Sequence, residues 1–323
     1  LHPANTLSLH DALPIWNALQ ANPKDTTARA QLITAMQTSE AIVDLIQDGH
    51  EVIVAHGNGP QVGQLVATYE AAASINEDMQ VMPFPECGAM SQGYIGYHLQ
   101  QSIRAEMRKR GINKEVATVI TQVIVDPNDP GFNNPTKPVG SFFTQEQAKK
   151  LMTKKGYTMR EDSNRGWRRV VASPMPIGIV EEPIIKTLVE AGHIVITVGG
   201  GGIPVIDKGN GELEGVPAVI DKDFASCKIA ELLNADIFIV LTAVEQVAIN
   251  FGKLNQKNLS RITQKEAKVY IEEGQFAPGS MLPKVKAALI FVESKEGRKA
   301  IITSLEKAKD AINEKSGTVI IKQ

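Results

Sequence analysis

The amino-acid sequence predicts an α/β protein with a mainly parallel, open sheet and helices on both of its faces. Apolar runs of strand length alternate with segments of helical periodicity through most of the 323 residues, and this alternation is typical of parallel sheets covered by helices. Two of the predicted strands end directly in glycine-rich turns. Because open α/β sheets bind ligands at the carboxyl ends of their strands, these turns are the first candidates for a binding site.

The composition narrows the class of protein before any motif is considered. The chain is 43% hydrophobic and can bury a large core, as one α/β unit or as two domains. Its 34 basic and 36 acidic residues nearly cancel, whereas nucleic-acid-binding proteins usually carry a basic excess. No apolar run reaches the ~18 residues of a membrane span. We therefore expect a cytoplasmic protein that binds neither nucleic acid nor membranes, with Cys87 and Cys227 as reduced thiols.

Residues 1–16 do not fit the pattern of the rest of the chain. They show neither strand alternation nor coherent helical periodicity, and they lack the basic start of a signal peptide. We expect residues 17–323 to form the native domain and residues 1–16 to be a leader that is foreign to it.

Apolar spacing predicts the elements of the first half. Positions such as Leu32, Met36 and Val43 recur at near-helical spacing and predict the first helix. Pro60 is well placed to open the second helix, because its fixed φ suits a first turn. The third helix starts with small residues, which permit close packing of another helix or a second subunit. The predicted helices are 28–47, 60–74 and 87–110, and the predicted strands are 51–55 and 116–125.

Residues 126–169 interrupt the alternation. Prolines and glycines punctuate this segment, and its nine basic residues exceed its five acidic ones by a net charge of +4. Since the whole chain carries −2, the remainder carries −6. A positive segment on an acidic body fits a lid over anionic ligands, and a solvated hairpin insertion explains it equally well.

The alternation resumes in the second half of the chain. This return to the same period favours one continuous sheet built from both halves. The predicted helices are 180–191, 222–234, 264–273 and 281–293, and the predicted strands are 193–198, 236–241, 300–303 and 318–321, with a short β excursion at 205–219.

Two predicted strands run directly into glycines. The strand at 194–198 is followed by the run Gly199 to Gly202, and the strand at 51–55 by His56 and the turn Gly57 to Gly59. Glycines leave backbone N–H groups open to a ligand, because no Cβ blocks the approach. A helix that begins at Pro60 also directs its positive dipole end toward the second turn. An anion cradle explains four consecutive glycines better than a flexible turn, which would not need their entropic cost.

Two lysines stand where an isolated cation is unfavourable. Lys222 lies between Asp221 and Asp223 at a predicted helix start, and Lys284 lies at the head of another predicted helix. A cation there opposes the helix dipole unless a polyphosphate compensates it, so we expect Lys284 to be a solvent-reachable cation that binds phosphate. Phosphoryl transfer requires such positioned cations. Since neither the P-loop signature nor the dinucleotide fingerprint occurs, the residues indicate a different phosphoryl-transfer site.

Seven motifs follow one another along the chain: His56 to Gly63, Gly88 to Gly93, Asn134 to Pro138, Val198 to Pro204, Ala218 to Asp223, Leu241 to Glu245 and Phe276 to Lys284. Together they resemble carbamate kinases, a branch of the amino acid kinase family. The resemblance extends from about Asn17 to Ile321, with the motifs in the same order. The Pro-Thr-Lys-Pro segment and the Asp-Lys-Asp string separate this branch from the acetylglutamate and uridylate kinases.

The resemblance implies a fold and a reaction. The fold would be a three-layer αβα sandwich in which residues 126–169 form a small protruding subdomain. The reaction would be the reversible transfer of a phosphoryl group, ATP + carbamate = ADP + carbamoyl phosphate, with Mg²⁺. Such enzymes usually work toward ATP synthesis in arginine deiminase-type catabolism, and the family leads us to expect a homodimer.

The resemblance also implies a set of site residues. Lys222 and Lys284 would neutralise the nucleotide phosphates, Lys137 would reach from the lid to the transferring group, and Asp223 would orient the lysines. Carbamate and the moving phosphoryl group would be bound by Asn17, Gly57, Asn58, Gly59, Gly199, Gly200, Gly201 and Gly202. The ATP side would be lined by Asp221, Ala243, Val244, Val247, Ile249, Gly279, Ser280 and Met281. No direct metal ligand is implied.

The chain departs from the family at its first strand. Carbamate kinases begin with a hydrophobic strand that ends in Gly-Gly-Asn-Ala-Leu, and here Asn17-Ala18-Leu19 follow Ile15 and Trp16 instead of two glycines. We therefore expect this chain to be poorly active. Two other functions stay open: another amino acid kinase that acts on a larger acyl acceptor, and a non-catalytic nucleotide or metabolite sensor on the same fold.

Overall fold

The computed structural model describes residues 10–15, 27–162 and 166–323. The helices of this part of the chain are α1 (Ala28–Gln47), α2 (Gly59–Ile75), α3 (Phe84–Lys109), α4 (Gln145–Lys155), α5 (Glu182–Glu190), α6 (Lys222–Leu232), α7 (Gln264–Glu272), α8 (Met281–Ser294) and α9 (Ala308–Ile312). The strands are β1 (His10–Ile15), β2 (Glu51–His56), β3 (Val116–Thr118), β4 (Gln122–Val125), β5 (Lys137–Phe143), β6 (Met159–Glu161), β7 (Trp167–Val171), β8 (Pro176–Ile179), β9 (Ile194–Ile196), β10 (Ile203–Gly209), β11 (Glu212–Gly215), β12 (Ile237–Thr242), β13 (Val247–Ile249), β14 (Lys257–Leu259), β15 (Arg261–Thr263), β16 (Lys299–Ser304) and β17 (Thr318–Ile321).

An eight-stranded sheet with the order β15-β17-β16-β12-β1-β2-β9-β3 forms the centre of the fold. The strands from β16 to β3 are mutually parallel. At the other edge, β17 runs antiparallel to β16, and β15 runs parallel to β17. The predicted open and mainly parallel sheet is therefore confirmed.

Alternating side chains of the central strands pack into different cores. On β2, Val52 and Val54 belong to the core formed with α1 and α3, whereas Ile53 and Ala55 belong to the core formed with α5 and α6. On β12, Phe238 and Val240 belong to a third core, formed with α6, α7 and α8. Because successive side chains of a strand point to opposite faces, helices must cover both sides of the sheet. This is the three-layer αβα sandwich that the sequence predicts.

Residues 10–15 occupy a central position in the sheet. Although the sequence shows no strand alternation here, β1 pairs in parallel with β2 on one side and β12 on the other. The register places Ile15 opposite His56 and Leu241. Strand ladders are made by backbone groups, so two flanking strands can select a segment that shows no alternation of its own.

The prediction of one strand at 116–125 is also wrong. β3 ends at Thr118 and β4 begins at Gln122. Residues 119–121 carry the chain from the central sheet into a second sheet with the order β11-β10-β4-β8, which contains the predicted β excursion as the β10–β11 hairpin. An apolar run does not reveal a change of sheet, because residues on both sides of the change are buried.

β5, β7 and β6 form a separate antiparallel sheet in that order, and α4 lies between β5 and β6 in the chain. Thr144 caps α4 in a capping box with Gln147, and Gly156 ends it in the left-handed conformation. This sheet packs on α2. At Gly63 of α2 and Gly140 of β5 the two backbones touch, since a Cβ on Gly63 would overlap the Gly140 backbone.

A cluster of charged and aromatic side chains makes a second contact between α2 and this sheet. The Glu70 carboxylate of α2 accepts hydrogen bonds from the Lys155 ammonium at 2.6 Å, from the Tyr157 hydroxyl and from Arg169 at 3.4 Å. The Arg169 guanidinium lies 3.8 Å from the centre of the Tyr157 ring. Burial and the hydrogen bond to Glu70 raise the pKa of Tyr157 to about 12. The contact thus joins residues 85 or more positions apart in the chain.

Both cysteines are buried free thiols. Among the described helices, none is both long and apolar enough to cross a membrane.

Candidate active site

Three lysines from distant parts of the chain line one cavity. Lys137 begins β5, Lys222 begins α6, and Lys284 lies in the first turn of α8. The remaining lining residues are Asp221, Asp223, Gly279, Ser280 and Pro283. The structure therefore brings together the four residues that the sequence analysis takes as catalytic, together with three of those it takes as ATP-binding.

Asp221 links the start of α6 to the lid. It is the N-cap of α6, and its Oδ1 accepts a hydrogen bond from the backbone N–H of Asp223 at 2.9 Å. Its Oδ2 accepts a hydrogen bond from Lys137 Nζ at 2.6 Å. Burial by itself would raise the pKa of Asp221, but the charge and hydrogen bond of Lys137 outweigh it and hold the value at about 2. Asp221 is therefore a carboxylate at neutral pH.

Asp223 lies between the other two lysines. Its Oδ2 accepts a hydrogen bond from Lys284 Nζ at 2.8 Å, and its Oδ1 lies 4.0 Å from Lys222 Nζ. Lys284 is only 2% exposed, so the expectation of a solvent-reachable cation is wrong. A lysine at the fourth position of a helix can be covered by the elements that pack around it, and the sequence does not show that packing.

Lys222 is buried in the same cluster. Burial, followed by the positive charge of Lys284, lowers the pKa of Lys222 well below its ordinary value. The carboxylates of Asp223 and Asp221 act in the opposite direction. Added negative charge in the cavity would favour the ammonium form of Lys222, because an opposite charge nearby stabilises the charged state.

The run Gly199 to Gly202 forms a single tight turn against this cluster. The N–H groups of Gly201 and Gly202 donate to the carbonyls of Val198 and Gly199, so they are used within the turn. The N–H groups of Gly199 and Gly200 are the remaining candidates for a ligand. A Cβ on Gly201 would overlap the carbonyl oxygen of Ile220, which immediately precedes Asp221. The glycine turn and the lysine cavity are therefore neighbours.

The second glycine turn packs against the first. β2 ends at His56, and α2 begins at Gly59 with a proline in its first turn. Asn58 is buried, and its Nδ2 donates to Ser91 Oγ at 2.8 Å. A Cβ on Gly200 would overlap the Asn58 side chain. The two turns predicted from the sequence thus meet at the carboxyl ends of adjacent parallel strands, β2 and β9.

His56 lies beneath both turns. Its ring is in contact with Gly199, where a Cβ would overlap Nε2, and its Nδ1 lies 3.0 Å from the Gly57 carbonyl oxygen. Burial, opposed by the hydrogen bond to the Gly57 backbone and assisted by the charge of Lys222, lowers the pKa of His56 to about 4. The ring is therefore neutral at physiological pH.

Not all of the predicted ATP residues line the lysine cavity. Val244 lines a second cavity, together with Glu245, Gln246, Ala248, Phe251, Gln256 and Asn258. Val247 is fully buried in the core around α8, and Ile249 and Met281 pack against that core. Ala243 is exposed. Asn17 lies outside the described residues.

The sequence analysis misses several residues that support the site. Ser91, Gln92 and Thr121 lie behind the glycine turns and are at most 1% exposed. Ser91 and Gln92 belong to a motif that stands out only for its small residues. Nothing in the pattern around Thr121 distinguishes it from a strand residue.

Comparisons with known proteins agree with this geometry. The family model "Amino acid kinase family" matches residues 21–304. Carbamate kinase of Clostridium perfringens is 59% identical over 95% of this chain and 97% of that protein, and the carbamate kinase-like protein YqeA of Escherichia coli is 57% identical over 94% and 97%. The structure of carbamate kinase from Giardia lamblia bound to AMP-PNP is 40% identical and superimposes with a TM-score of 0.89, covering 98% of this chain and 99% of that one.

Proposed function

The chain belongs to the amino acid kinase family, and we propose that it catalyses the reversible transfer of a phosphoryl group between ATP and carbamate, giving ADP and carbamoyl phosphate. Identities above 55% to a carbamate kinase and a carbamate kinase-like protein, over nearly the full length of each, support this reaction. The observation that carries the proposal is the meeting of Lys137, Lys222 and Lys284 around one cavity.

Three lysines suit this chemistry because phosphoryl transfer is promoted mainly by positioned positive charge. Lys222 and Lys284 neutralise the nucleotide phosphates. Asp223 holds both lysines in place, with one carboxylate oxygen toward each. Lys137 comes from a different sheet and reaches the transferring group. Phosphates that enter the cavity oppose the lowering of the Lys222 pKa, because their negative charge favours the ammonium form.

The two glycine turns bind carbamate and the moving phosphoryl group. Backbone N–H groups of Gly199 and Gly200, with the turn Gly57 to Gly59, offer donors at the strand ends next to Ile220 and Asp221. Asn17 follows β1, whose last residue is in register with His56. Carbamate is already an anionic nucleophile, so the reaction needs no general base.

Mg²⁺ enters with the nucleotide in this proposal. Within the described residues, no group of three or more His, Cys, Asp or Glu side chains could hold a metal by itself. Mg²⁺ commonly binds through one or two carboxylates together with substrate phosphates, and Asp223 Oδ1, which is buried and accepts no hydrogen bond, fits that role. When bound, the ion would neutralise charge on the phosphate oxygens.

The ATP side extends from the lysine cavity to the second cavity. Asp221, Gly279 and Ser280 line the first, and Val244 lines the second. Val247 and Ile249 belong to β13, Met281 begins α8 directly after Gly279 and Ser280, and Ala243 lies next to Val244 in the loop between β12 and β13. The AMP-PNP complex of the Giardia relative supports nucleotide binding by this fold.

Residues 126–169 act as the lid, and the enzyme works as a cytoplasmic homodimer toward ATP synthesis in arginine deiminase-type catabolism. The salt bridge from Lys137 to Asp221 supports the lid, because it joins the lid strand β5 to the start of α6. Exposed apolar side chains beside the small-residue part of α3, Tyr97 and Ile120, support a subunit contact there.

The deciding experiment measures ATP formation from ADP and carbamoyl phosphate by the purified full chain. Parallel assays with ATP and acetylglutamate or aspartate test the alternative of another acyl acceptor. An ATP-binding measurement tests the sensor alternative, which predicts binding without turnover with any acceptor. Absence of ATP synthesis from carbamoyl phosphate, with ATP bound normally, would overturn the proposed reaction.

A further inference from the structure

Val198 adopts a backbone conformation that a valine rarely takes. Its φ of 44° and ψ of 32° lie in the left-handed region, and its side chain is fully buried. For a β-branched residue this conformation is a genuine outlier, which persists only where the surroundings hold it. Val198 lies immediately before Gly199 and Gly200, so its conformation sets the direction in which their N–H groups point.

The hydroxyl of Thr121 binds the strained residue. Thr121 Oγ1 donates to the Val119 carbonyl at 2.8 Å. Since its single proton is used there, the oxygen accepts both from the Val198 N–H at 3.0 Å and from Thr197 Oγ1 at 2.9 Å. The hydrogen bond from the Val198 N–H to Thr121 Oγ1 is made while Val198 is in its left-handed conformation.

The backbone of Thr121 holds the other end of the same turn. Its carbonyl accepts from the Ile203 N–H at 2.8 Å, directly after the last glycine. The Gln92 side-chain amide fixes this backbone at two points, accepting from the Thr121 N–H at 2.8 Å and donating to the Thr121 carbonyl at 3.1 Å. Both ends of the glycine turn are therefore tied to one residue at the break between β3 and β4.

We infer that Thr121 is a positioning residue for phosphoryl transfer. It touches no reacting atom, and it acts by holding Val198 in the left-handed conformation that directs the Gly199 and Gly200 N–H groups toward the lysine cavity. Gln92 is its support. This inference rests on the proposed function, because it assigns those N–H groups to the moving phosphoryl group.

The first test is the substitution Thr121→Val, which keeps the shape of the side chain and removes the hydroxyl. We expect kcat for ATP synthesis to fall about 10- to 100-fold, as for small misplacements in an active site. The KM for ADP should change less than twofold, since the nucleotide contacts are elsewhere. Thr121→Ser restores the hydroxyl and should return kcat to within about threefold of the wild type.

A second substitution separates positioning from mere stability. Glycine adopts the left-handed conformation without strain, so Val198→Gly in the Thr121→Val background should recover about tenfold in kcat. The same change removes a buried side chain and should lower Tm. A gain in turnover together with a loss of stability would not follow from a purely structural role. Failure of Val198→Gly to raise kcat above that of Thr121→Val overturns the inference.

Two further variants serve as a control for the loss of a buried hydroxyl and as a substitute for Thr121→Val. Ser39→Ala removes another fully buried hydroxyl, bonded at 2.7 Å to the Ala35 carbonyl in α1, and should leave kcat unchanged. If Thr121→Val does not fold, Gln92→Leu takes its place and is expected to lower kcat in the same way. Wild-type kcat in a folded Thr121→Val or Gln92→Leu protein contradicts the inference.

An experiment that does not measure turnover tests the inference independently of the proposed function. Inorganic phosphate should slow amide hydrogen exchange in the segment 196–203 of the wild-type protein, and this protection should be lost in Thr121→Val. If the wild type makes no ATP but shows this difference, the proposed reaction fails and the positioning role stands. Equal protection in both proteins overturns the positioning role.

Discussion

Lys284 Nζ lies 2.8 Å from Asp223 Oδ2, and neither side chain is more than 3% exposed. This buried pair joins α8 to α6 at the cavity that Lys137 closes from the other side. A buried charge that loses its partner is costly, by about 3–5 kcal/mol. Lys284 therefore contributes to the stability of the fold as well as to its proposed chemistry, and the two contributions must be measured separately.

We predict that Lys284→Met lowers both turnover and stability. Turnover should fall by about 10²- to 10³-fold, the usual cost of one electrostatic contact to the transition state. Urea unfolding should show a loss of about 3 kcal/mol, because the buried Asp223 carboxylate loses its hydrogen-bonded partner and keeps only the more distant Lys222, at 4.0 Å. Adding Asp223→Asn should restore much of the stability and none of the turnover. Lys286→Met, on the exposed face of the same helix, is the control, and a Lys284→Met enzyme with half of the wild-type activity would refute the assignment.

Lys137→Ala should lower kcat more than it weakens ATP binding. Lys137 belongs to the lid sheet and contacts the body through Asp221, so its loss leaves the nucleotide side of the cavity in place. We expect kcat to fall by about 10²-fold with a change in ATP affinity below threefold. Steady-state kinetics and calorimetry measure the two quantities, with the exposed lid residue Lys149→Ala as control. A loss confined to ATP affinity would place Lys137 at the nucleotide instead.

The sequence predicts most of the fold because buried strands and amphipathic helices carry their own periodicity. The alternation of Val52 and Val54 with Ile53 and Ala55, for example, follows from the two cores that the strand separates. β1 is missed because its position is selected by the backbones of β2 and β12. The break at residues 119–121 is missed because both sides of it are equally apolar.

The candidate site is predicted in part for a similar reason. Glycine runs are visible along the chain, and so are lysines at predicted helix starts, where an isolated cation is unfavourable. The cavity residues can therefore be found from the sequence. Their pairing is not visible, since Lys137 and Asp221 are 84 residues apart and Lys284 and Asp223 are 61 apart. Thr121 is missed because its importance depends on the φ of a valine that is distant in sequence.

Glu70→Gln should loosen the lid without unfolding the body. The Glu70 carboxylate holds Lys155, Tyr157 and Arg169 together, and an amide can accept from fewer of them and carries no charge. We expect proteolysis within residues 126–171 to become faster and kcat to fall by about tenfold. The exposed residue Glu77→Gln serves as the matched control. If lid cleavage and kcat both stay at wild-type values, the cluster has no part in holding the lid.

The buried His56 should make the fold sensitive to acid. Its pKa is about 4 in the folded protein against an ordinary value of 6.5, so the unfolded chain binds more protons between those values and stability falls as the pH falls through that window. The contribution between pH 7 and pH 4 is about 3 kcal/mol. His56→Gln should remove this part of the pH dependence in urea unfolding. His193→Gln is the control, and an unchanged pH slope in His56→Gln would contradict the prediction.

Replacing Ile15 and Trp16 with two glycines should raise activity. Ile15 is in register with His56, so β1 ends beside the turn that begins at Gly57. Carbamate kinases have two glycines at these positions, and glycine leaves its N–H group open to a ligand because it has no Cβ. We expect ATP synthesis to increase by about tenfold or more, together with soluble yield and Tm. Equal values for the altered and unaltered chains would show that Ile15 and Trp16 are compatible with full function.

The contact between Gly63 and Gly140 fixes the lid against α2 at a point between its other two attachments to the body. No side chain separates the two backbones at this point, so the distance between α2 and β5 is set by direct backbone contact. Along α2, Glu70 lies seven residues from this contact, or about 10 Å. Along β5, Lys137 lies three residues from it, also about 10 Å. The Glu70 cluster and the Lys137–Asp221 salt bridge lie at similar distances from this backbone contact, so surface chemistry far from the cavity contributes to how precisely the lid lysine is placed.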